Sequence, residues 1–268
     1  LDLVAWGRPG EGRAELLELM AMSRKINDPR PHTMAQWALA SLNAFSGDCD
    51  EGIENAEEAL RTGLCPVDRY NAEAYRSIAM ILSGQVGTGM TIGNPLYREV
   101  TAKGFFMVFT HFRMILGVGL VLQGQMASGI KVIKEAISEA TSLNQSTPKA
   151  FGNMVLGETY LQIATSSEKP PLRTLLRNMG FLARTLPFVK SKARGYLSKA
   201  YEEFSRKDCP SYAARCLFNL GQLDRFQNQT EAAQVKFEKA REIANAVEAT
   251  HLVREIEGAL ATPISSSR

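Results

Sequence analysis

The sequence predicts an all-α fold, a tetratricopeptide-like solenoid of helical hairpins wound into a right-handed superhelix, with an inserted helix near 171–187. Apolar residues recur at the spacing of one helix face, and no segment has the pattern of a strand. Turns that contain glycine recur after 37 and 40 residues, at Gly47, Gly84 and Gly124. Because the standard tetratricopeptide period is 34 residues, these helices should be longer than usual by about one turn per repeat.

The clearest hairpin lies between His111 and Ala140. Its first helix carries Gly117 and its second carries Gly129, each on the same helix face as large apolar residues. Small residues at matching positions let two antiparallel helices approach closely, and Gly124 suits the turn between them because glycine tolerates a positive φ. We therefore expect a close helix crossing at the two glycines, and the other segments are versions of this unit.

The repeats before this hairpin are expected in a regular order. A truncated first repeat covers 1–30, and its helix should end at the Asp28-Pro29-Arg30-Pro31 segment. Full repeats follow at about 33–66 and 68–104. Since the chain begins at Leu1, inside half a repeat and without a methionine, we expect it to be a piece of a longer protein.

Three glycines in the second half of the 68–104 repeat raise the alternative of a nucleotide-binding loop. They lie at positions 87, 89 and 93, a GxGxxxG spacing that differs from the dinucleotide fingerprint, and no strand precedes them. No lysine occurs where a P-loop requires one. We predict instead a loose loop, followed by a short helix from about Pro95 to Ala102.

The later repeats contain one interruption. Gly157 and Ala193 occupy the places of Gly117 and Gly129, but they are separated by 36 residues instead of 12. The extra residues predict an insertion at 166–191. The predicted units of this single domain, 1–268, are therefore repeats at about 108–144, 149–207 (with the insertion) and 211–246, and a capping helix at 250–261.

Composition and motifs exclude several classes of function. A net charge of +3 is too weak to indicate nucleic acid, and the four cysteines have neither CxxC nor metal spacing, as expected for reduced thiols in a cytoplasmic protein. The apolar run 105–122 carries His111 and Arg113, so a buried repeat helix is expected there and not a membrane span. Without HExxH, GxSxG or clustered histidines, no catalytic residue, metal site or cofactor is predicted.

Two surfaces are candidate binding sites. The first is the concave face, where a solenoid binds extended protein or peptide partners; its predicted residues are Trp37, His111, Met114, Glu158, Arg215, Phe218, Gln222 and Arg225. The second is the inserted helix, in which Arg173, Arg177 and Arg184 form a basic stripe beside a stripe of leucines. We expect the leucines to pack on the solenoid and the arginines to face outward; a membrane surface or a partner is the alternative.

The segments NMGFLARTLPFVKSKA and AARCLFNLGQLDRFQNQTEAAQVKFEKA carry a family resemblance. They resemble the C-terminal tetratricopeptide region of bacterial multidomain class III adenylate/guanylate cyclase–ATPase signalling proteins, in which a cyclase domain and an ATPase module precede the repeats. The resemblance implies a non-catalytic regulatory module that holds a protein partner or its own upstream domains, with the catalytic aspartates and nucleotide loop upstream of Leu1.

Two other functions fit the same repeats. One is a free-standing tetratricopeptide adaptor that binds a peptide. The other is a small-effector sensor that binds its ligand inside the superhelix, which would show itself as a closed apolar pocket with convergent polar groups.

Overall fold

A computed structural model describes residues 7–63, 65–104, 110–166 and 172–261, except for the side chains of residues 172, 173, 175 and 176. Every regular element within these ranges is helical. In chain order the helices are α1 (Pro9–Ile26), α2 (Pro29–Ser46), α3 (Cys49–Thr62), α4 (Pro66–Leu82), α5 (Val86–Ala102), α6 (Thr110–Leu122), α7 (Met126–Ser142), α8 (Ser146–Thr165), α9 (Leu172–Thr185), a 3-10 turn (Leu186–Phe188), α10 (Val189–Arg206), α11 (Pro210–Phe226), α12 (Thr230–Ala246) and α13 (Thr250–Ala261). The predicted all-α, helical-repeat fold class is confirmed.

The helices pair as consecutive hairpins. The pairs are α2 with α3, α4 with α5, α6 with α7, α8 with α10, and α11 with α12. Helix α9 is inserted between the two helices of the fourth hairpin, and α1 and α13 flank the stack. Within the described ranges, no helix combines the length and the apolar character that crossing a membrane requires.

Proline begins several of these helices. Pro29 is the first residue of α2, four residues before the predicted start, and Asp28 caps the helix by accepting a hydrogen bond from the Arg30 N–H at 3.0 Å. A proline in the first turn costs no hydrogen bond, because the N–H groups there have no partner within the helix. The Asp28–Pro31 segment thus ends one helix and begins the next.

The expected loose loop after Val86 is wrong, because α5 runs without interruption from Val86 to Ala102. Two of its glycines, Gly89 and Gly93, serve helix packing. A Cβ on Gly89 would lie 2.9 Å from the carbonyl oxygen of Ser77, whose hydroxyl also donates to the Gly89 carbonyl oxygen at 2.8 Å. Glycine is an unfavourable residue in an isolated helix, but here the close contact with α4 requires it.

The crossing of α6 and α7 is as close as the small residues predicted. A Cβ on Gly117 would lie 2.9 Å from the Gly129 carbonyl oxygen and 2.6 Å from Cγ1 of Ile133. Gly124 ends the first helix with a φ of +76°, a conformation that side chains other than glycine rarely adopt. Backbone therefore packs on backbone at the centre of this hairpin.

The superhelix closes on itself. The Ser211 N–H donates to the carbonyl oxygen of Gly7 at 3.0 Å, and the Gly10 N–H donates to that of Val247 at 3.3 Å. Arg8 also forms an ion pair of 2.5 Å with Asp208. We call this contact of the start of α1 with the α10–α11 and α12–α13 turns the seam; it encloses the space between the inner helices.

Candidate functional site

A cavity of about 700 Å³ lies at the centre of the closed superhelix. Its walls come mainly from α2, α8, α11 and α13, so that helices from both ends of the chain contribute. Ligand pockets in proteins commonly have volumes of about 300–1,000 Å³. The cavity is therefore the right size for a drug-sized molecule or a short peptide.

The cavity-lining residues of the inner helices recur at helical spacing. On α8 they include Phe151, Val155, Glu158 and Gln162, at offsets of 4, 7 and 11. On α11, Tyr212 and Arg215 lie on one helix face. Both helices thus place an aromatic ring near their beginning and a charged group further along.

A network of charged side chains crosses the cavity wall between α11 and α13. The guanidinium of Arg215 donates to both carboxylate oxygens of Glu255, at 2.6 and 3.0 Å. The same carboxylate lies 2.8 Å from Nδ1 of His251. A bidentate guanidinium–carboxylate pair is directional as well as strong, so it fixes the position of α13 relative to α11.

Glu158 is a half-buried carboxyl group in the wall formed by α8. Its Oε1 accepts a hydrogen bond of 2.7 Å from the side-chain amide of Asn219. Burial raises the pKa of Glu158, although the nearby Arg215 charge and this hydrogen bond act in the opposite direction. The protein therefore stabilises the ionised carboxylate of Glu158 less than water does.

Aromatic side chains form the other end of the cavity. Phe151 packs edge-on against Phe45, with ring centroids 5.3 Å apart, and against Tyr212 at 6.1 Å. Burial raises the pKa of the Tyr212 hydroxyl. The cavity thus has an aromatic end and a charged end.

Of the eight residues predicted on the concave face, three line the cavity: Glu158, Arg215 and Phe218. Met114 is fully buried in the core, and Trp37 is buried against Tyr75, with its indole N–H donating to Asp68 at 3.3 Å. His111 packs against Phe151 at 4.6 Å between ring centroids.

The remaining two, Gln222 and Arg225, bond to each other at 2.7 Å, and Arg225 also donates to the Ala259 carbonyl oxygen at 2.9 Å. These two side chains therefore attach α13 to α11.

Sequence reasoning missed several cavity residues. Phe45, His251 and Glu255 lie in the first full repeat and in the capping helix, 206 or more positions apart. Phe151 and Tyr212 were predictable from helical spacing. Phe151 lies seven residues before Glu158 on α8, and Tyr212 lies three residues before Arg215 on α11, so each aromatic residue shares a helix face with a predicted charged residue. Nothing in the repeat pattern indicated that α13 would meet α2.

The inserted helix α9 lies against the turn between α6 and α7. The side chain of Asn178 donates to the Gly124 carbonyl oxygen at 2.8 Å and accepts from the Met126 N–H at 3.1 Å. Asn178 thereby bonds to an otherwise unpaired N–H in the first turn of α7. Thr185, two turns further along α9, is also buried.

The prediction that the leucine stripe packs on the solenoid holds only in part for its described members: Leu182 is half-buried, whereas Met179 is 64% exposed and Leu186 is 50% exposed. The contacts of α9 come from Phe181, which packs against the core, and from Asn178, which bonds to the turn before α7 and to its first residue. Arg177 and Arg184 are exposed, as expected, and the Arg173 side chain lies outside the described residues. Among the described side chains of this segment, Met179 and Leu186 are thus open to solvent beside Arg177 and Arg184.

Among the described residues, no group of three or more His, Cys, Asp or Glu side chains is arranged to hold a metal ion. The four cysteines are free thiols. Burial raises the pKa of the half-buried Cys49 thiol, which lines the cavity.

We expect stability to depend on His111 in mildly acidic solution. Burial lowers the pKa of His111 to about 4, from an ordinary value of 6.5, so the unfolded chain takes up a proton that the folded chain excludes. The stability contributed by the neutral ring is complete above pH 6.5 and is lost as the pH falls towards 4, by about 2–3 kcal/mol. Urea denaturation at successive pH values should show a shallower decline for His111→Gln.

A His32→Gln variant is the matched control and should follow the unmodified chain. If both variants decline equally with pH, the proton uptake does not occur at His111.

The sequence matches no family model, and no curated protein is similar to it. Among solved structures, the chain is similar to the apo form of the quorum sensor NprR from B. thuringiensis, with a TM-score of 0.40 and 10% sequence identity. The match covers 92% of this chain and 79% of that chain. The function of this chain must therefore be argued from its own cavity.

Proposed function

We propose that the chain is a non-catalytic helical-repeat module that binds a ligand in its central cavity and regulates a partner protein or domain. The observation that carries this proposal is the closed superhelix, which arranges Glu158 and the Arg215–Glu255 pair around a volume of about 700 Å³. Polar groups that converge beside aromatic and aliphatic side chains in a concave site are typical of ligand binding.

The seam favours a small ligand over a folded partner in this cavity. An open solenoid offers a long groove for an extended chain. Here the bonds of Gly7 and Gly10 join the two ends of the array, so that the inner helices surround a central space in place of a long groove. A short peptide or a small effector suits the enclosed volume, and a protein partner would contact the outer surface.

Ligand binding could regulate a partner because the cavity walls come from helices at both ends of the chain. A ligand between α2, α8, α11 and α13 contacts both ends of the chain, so binding favours the closed arrangement over any open one. The resemblance of residues 170–240 to cyclase–ATPase signalling proteins supports an upstream cyclase domain as the regulated partner. The gene sequence upstream of Leu1 tests that assignment, and a free-standing adaptor is the alternative.

Cavity binding can be tested with the thiols of the chain itself. Cys49 lines the cavity, whereas the half-buried Cys65 bonds to Asp68 away from it. We expect thermal-shift screening against small metabolites and short peptides to find a ligand that slows alkylation of Cys49 more than alkylation of Cys65, measured by mass spectrometry at mildly alkaline pH. A ligand at 100 times its Kd should stabilise the fold by about 2.7 kcal/mol.

Global stabilisation by a ligand would slow the alkylation of both thiols. The ratio of the two alkylation rates is therefore the internal control. If every stabilising ligand leaves the ratio of the Cys49 and Cys65 rates unchanged, the binding site is elsewhere and the proposal fails.

A further inference from the structure

The charges that line the cavity are unequal. Its described acidic residues are Asp50, Glu158 and Glu255, whereas Arg215 is the single Lys or Arg among the described lining residues. Arg215 directs both arms of its guanidinium at Glu255, so these two charges largely cancel. The remaining lining is acidic, with Glu158 in the wall and Asp50 exposed at the rim.

Glu158 is placed to receive a cation. The neutral side-chain amide of Asn219 donates one hydrogen bond to its Oε1. This bond uses only part of the hydrogen-bonding capacity of one carboxylate oxygen. An ionised carboxylate in a partly buried site is stabilised most by an opposite charge in direct contact. A bound amine or guanidinium would supply that charge.

The aromatic end defines the rest of the ligand. Phe151 precedes Glu158 by seven residues on α8, about 10 Å along the helix axis at 1.5 Å per residue. Tyr212 lies beside Phe151 and Arg215 follows Tyr212 on α11, so the two helices run from an aromatic level to a charged level in the same direction. A ligand that spans this distance needs an apolar stem of about 10 Å between its cation and its far end.

We infer that the cavity binds a ligand with a cationic amine or guanidinium group beside Glu158 and an apolar, preferably aromatic, stem packed against the rings of Phe151 and Tyr212. This inference rests on the proposed function, because it names the ligand class of the same cavity. The cation has two possible sources, a free alkylamine or the basic group of a short peptide. Both share the chemistry that Glu158 recognises.

Three probes of the same shape and different charge test the inference. They are 4-phenylbutylamine, 4-phenylbutanol and 4-phenylbutyrate, each measured by calorimetric titration and by protection of Cys49 from alkylation. We expect the amine to bind at least tenfold more tightly than the alcohol, and the carboxylate to bind least. A second arm compares Phe-Ala-Ala-Arg amide with its citrulline analogue; tighter binding of the arginine peptide than of the small amine identifies a peptide as the source.

Glu158→Gln should remove most of the preference for the amine and leave the affinity for the alcohol unchanged. The glutamine can still accept the Asn219 hydrogen bond, so the fold should be retained, which circular dichroism checks. Glu257→Gln is the matched control, because this exposed carboxylate on the same helix as Glu255 lies outside the cavity lining. It should not change any affinity.

The outcomes separate the inference from the proposed function. If the alcohol or the carboxylate binds as tightly as the amine and protects Cys49, the cavity is a ligand site but the cation assignment is overturned. The cation assignment is also overturned if Glu158→Gln and Glu257→Gln behave alike. If none of the probes or peptides binds or protects Cys49, the inference is overturned, and the wider ligand screen then decides whether the cavity binds anything.

Discussion

The double variant Arg194→Met, Lys236→Met should lose about 3–5 kcal/mol of folding free energy, the typical effect of leaving a buried charge without its partner. The carboxylate of Asp224 is 1% exposed and contacts Arg194 at 2.7 Å and Lys236 at 2.5 Å. These three residues lie on α11, α10 and α12, so one buried charge connects three successive helices. Urea denaturation monitored by circular dichroism measures the loss.

Adding Asp224→Asn to the double variant should restore most of the stability, because the amide keeps the shape and removes the charge that needs compensation. Arg206→Met is the control for removal of a surface ion pair; its partner Glu203 is at 2.5 Å, and Arg206 itself is exposed. It should cost less than about 1 kcal/mol. If the double variant costs no more than this control, water reaches Asp224 and the interpretation of a buried link is wrong.

Gly117→Leu should destabilise the chain by about 3 kcal/mol, the upper end of the usual overpacking penalty. The first atom of the new side chain would meet the Gly129 carbonyl oxygen at 2.9 Å, and a backbone atom cannot rotate away as a side chain can. Helices α6 and α7 would have to separate and so lose their other contacts. The midpoint of chemical denaturation measures the effect.

Gly195→Ala is the matched control for this substitution. Gly195 also lies within a helix, α10, but a Cβ there has no atom within 4 Å. Alanine should therefore raise stability by about 0.5–1 kcal/mol, because it loses less conformational entropy on folding. An unchanged midpoint for Gly117→Leu would show that α6 and α7 do not cross at this point.

The helical hairpins could be predicted because their determinants are local. Apolar spacing sets the face of each helix, and the turns at Gly47, Gly84 and Gly124 end the helices with a positive φ that glycine adopts without strain. The pairing of Gly117 with Gly129 follows from the same pattern, since each small residue marks a close approach. These features depend on residues within about 20 positions of each other, which a single sequence displays.

The features that were missed depend on tertiary contacts. The segment that forms α5 resembles a loop in the sequence, because glycine has a low helix propensity. The contact with α4 that requires a glycine at position 89 is a tertiary feature, which the sequence does not display. The orientation of α9 depends on Asn178 reaching Gly124, 54 residues earlier in the chain. The charged end of the cavity requires Glu255 to meet Arg215, which follows only from the placement of α13 on α11.

The seam changes how such a chain should fold and unfold. In an open array each repeat contacts only its neighbours, so the terminal helices fray first. Here Arg8 bonds to Asp208, 200 residues later, and bringing ends so far apart together costs about 5 kcal/mol of loop entropy by the (3/2)RT ln n relation. Contacts of such high sequence separation should form last in folding. Once formed, they make the two ends of the array depend on each other, so that losing α1 also removes contacts of the last two hairpins.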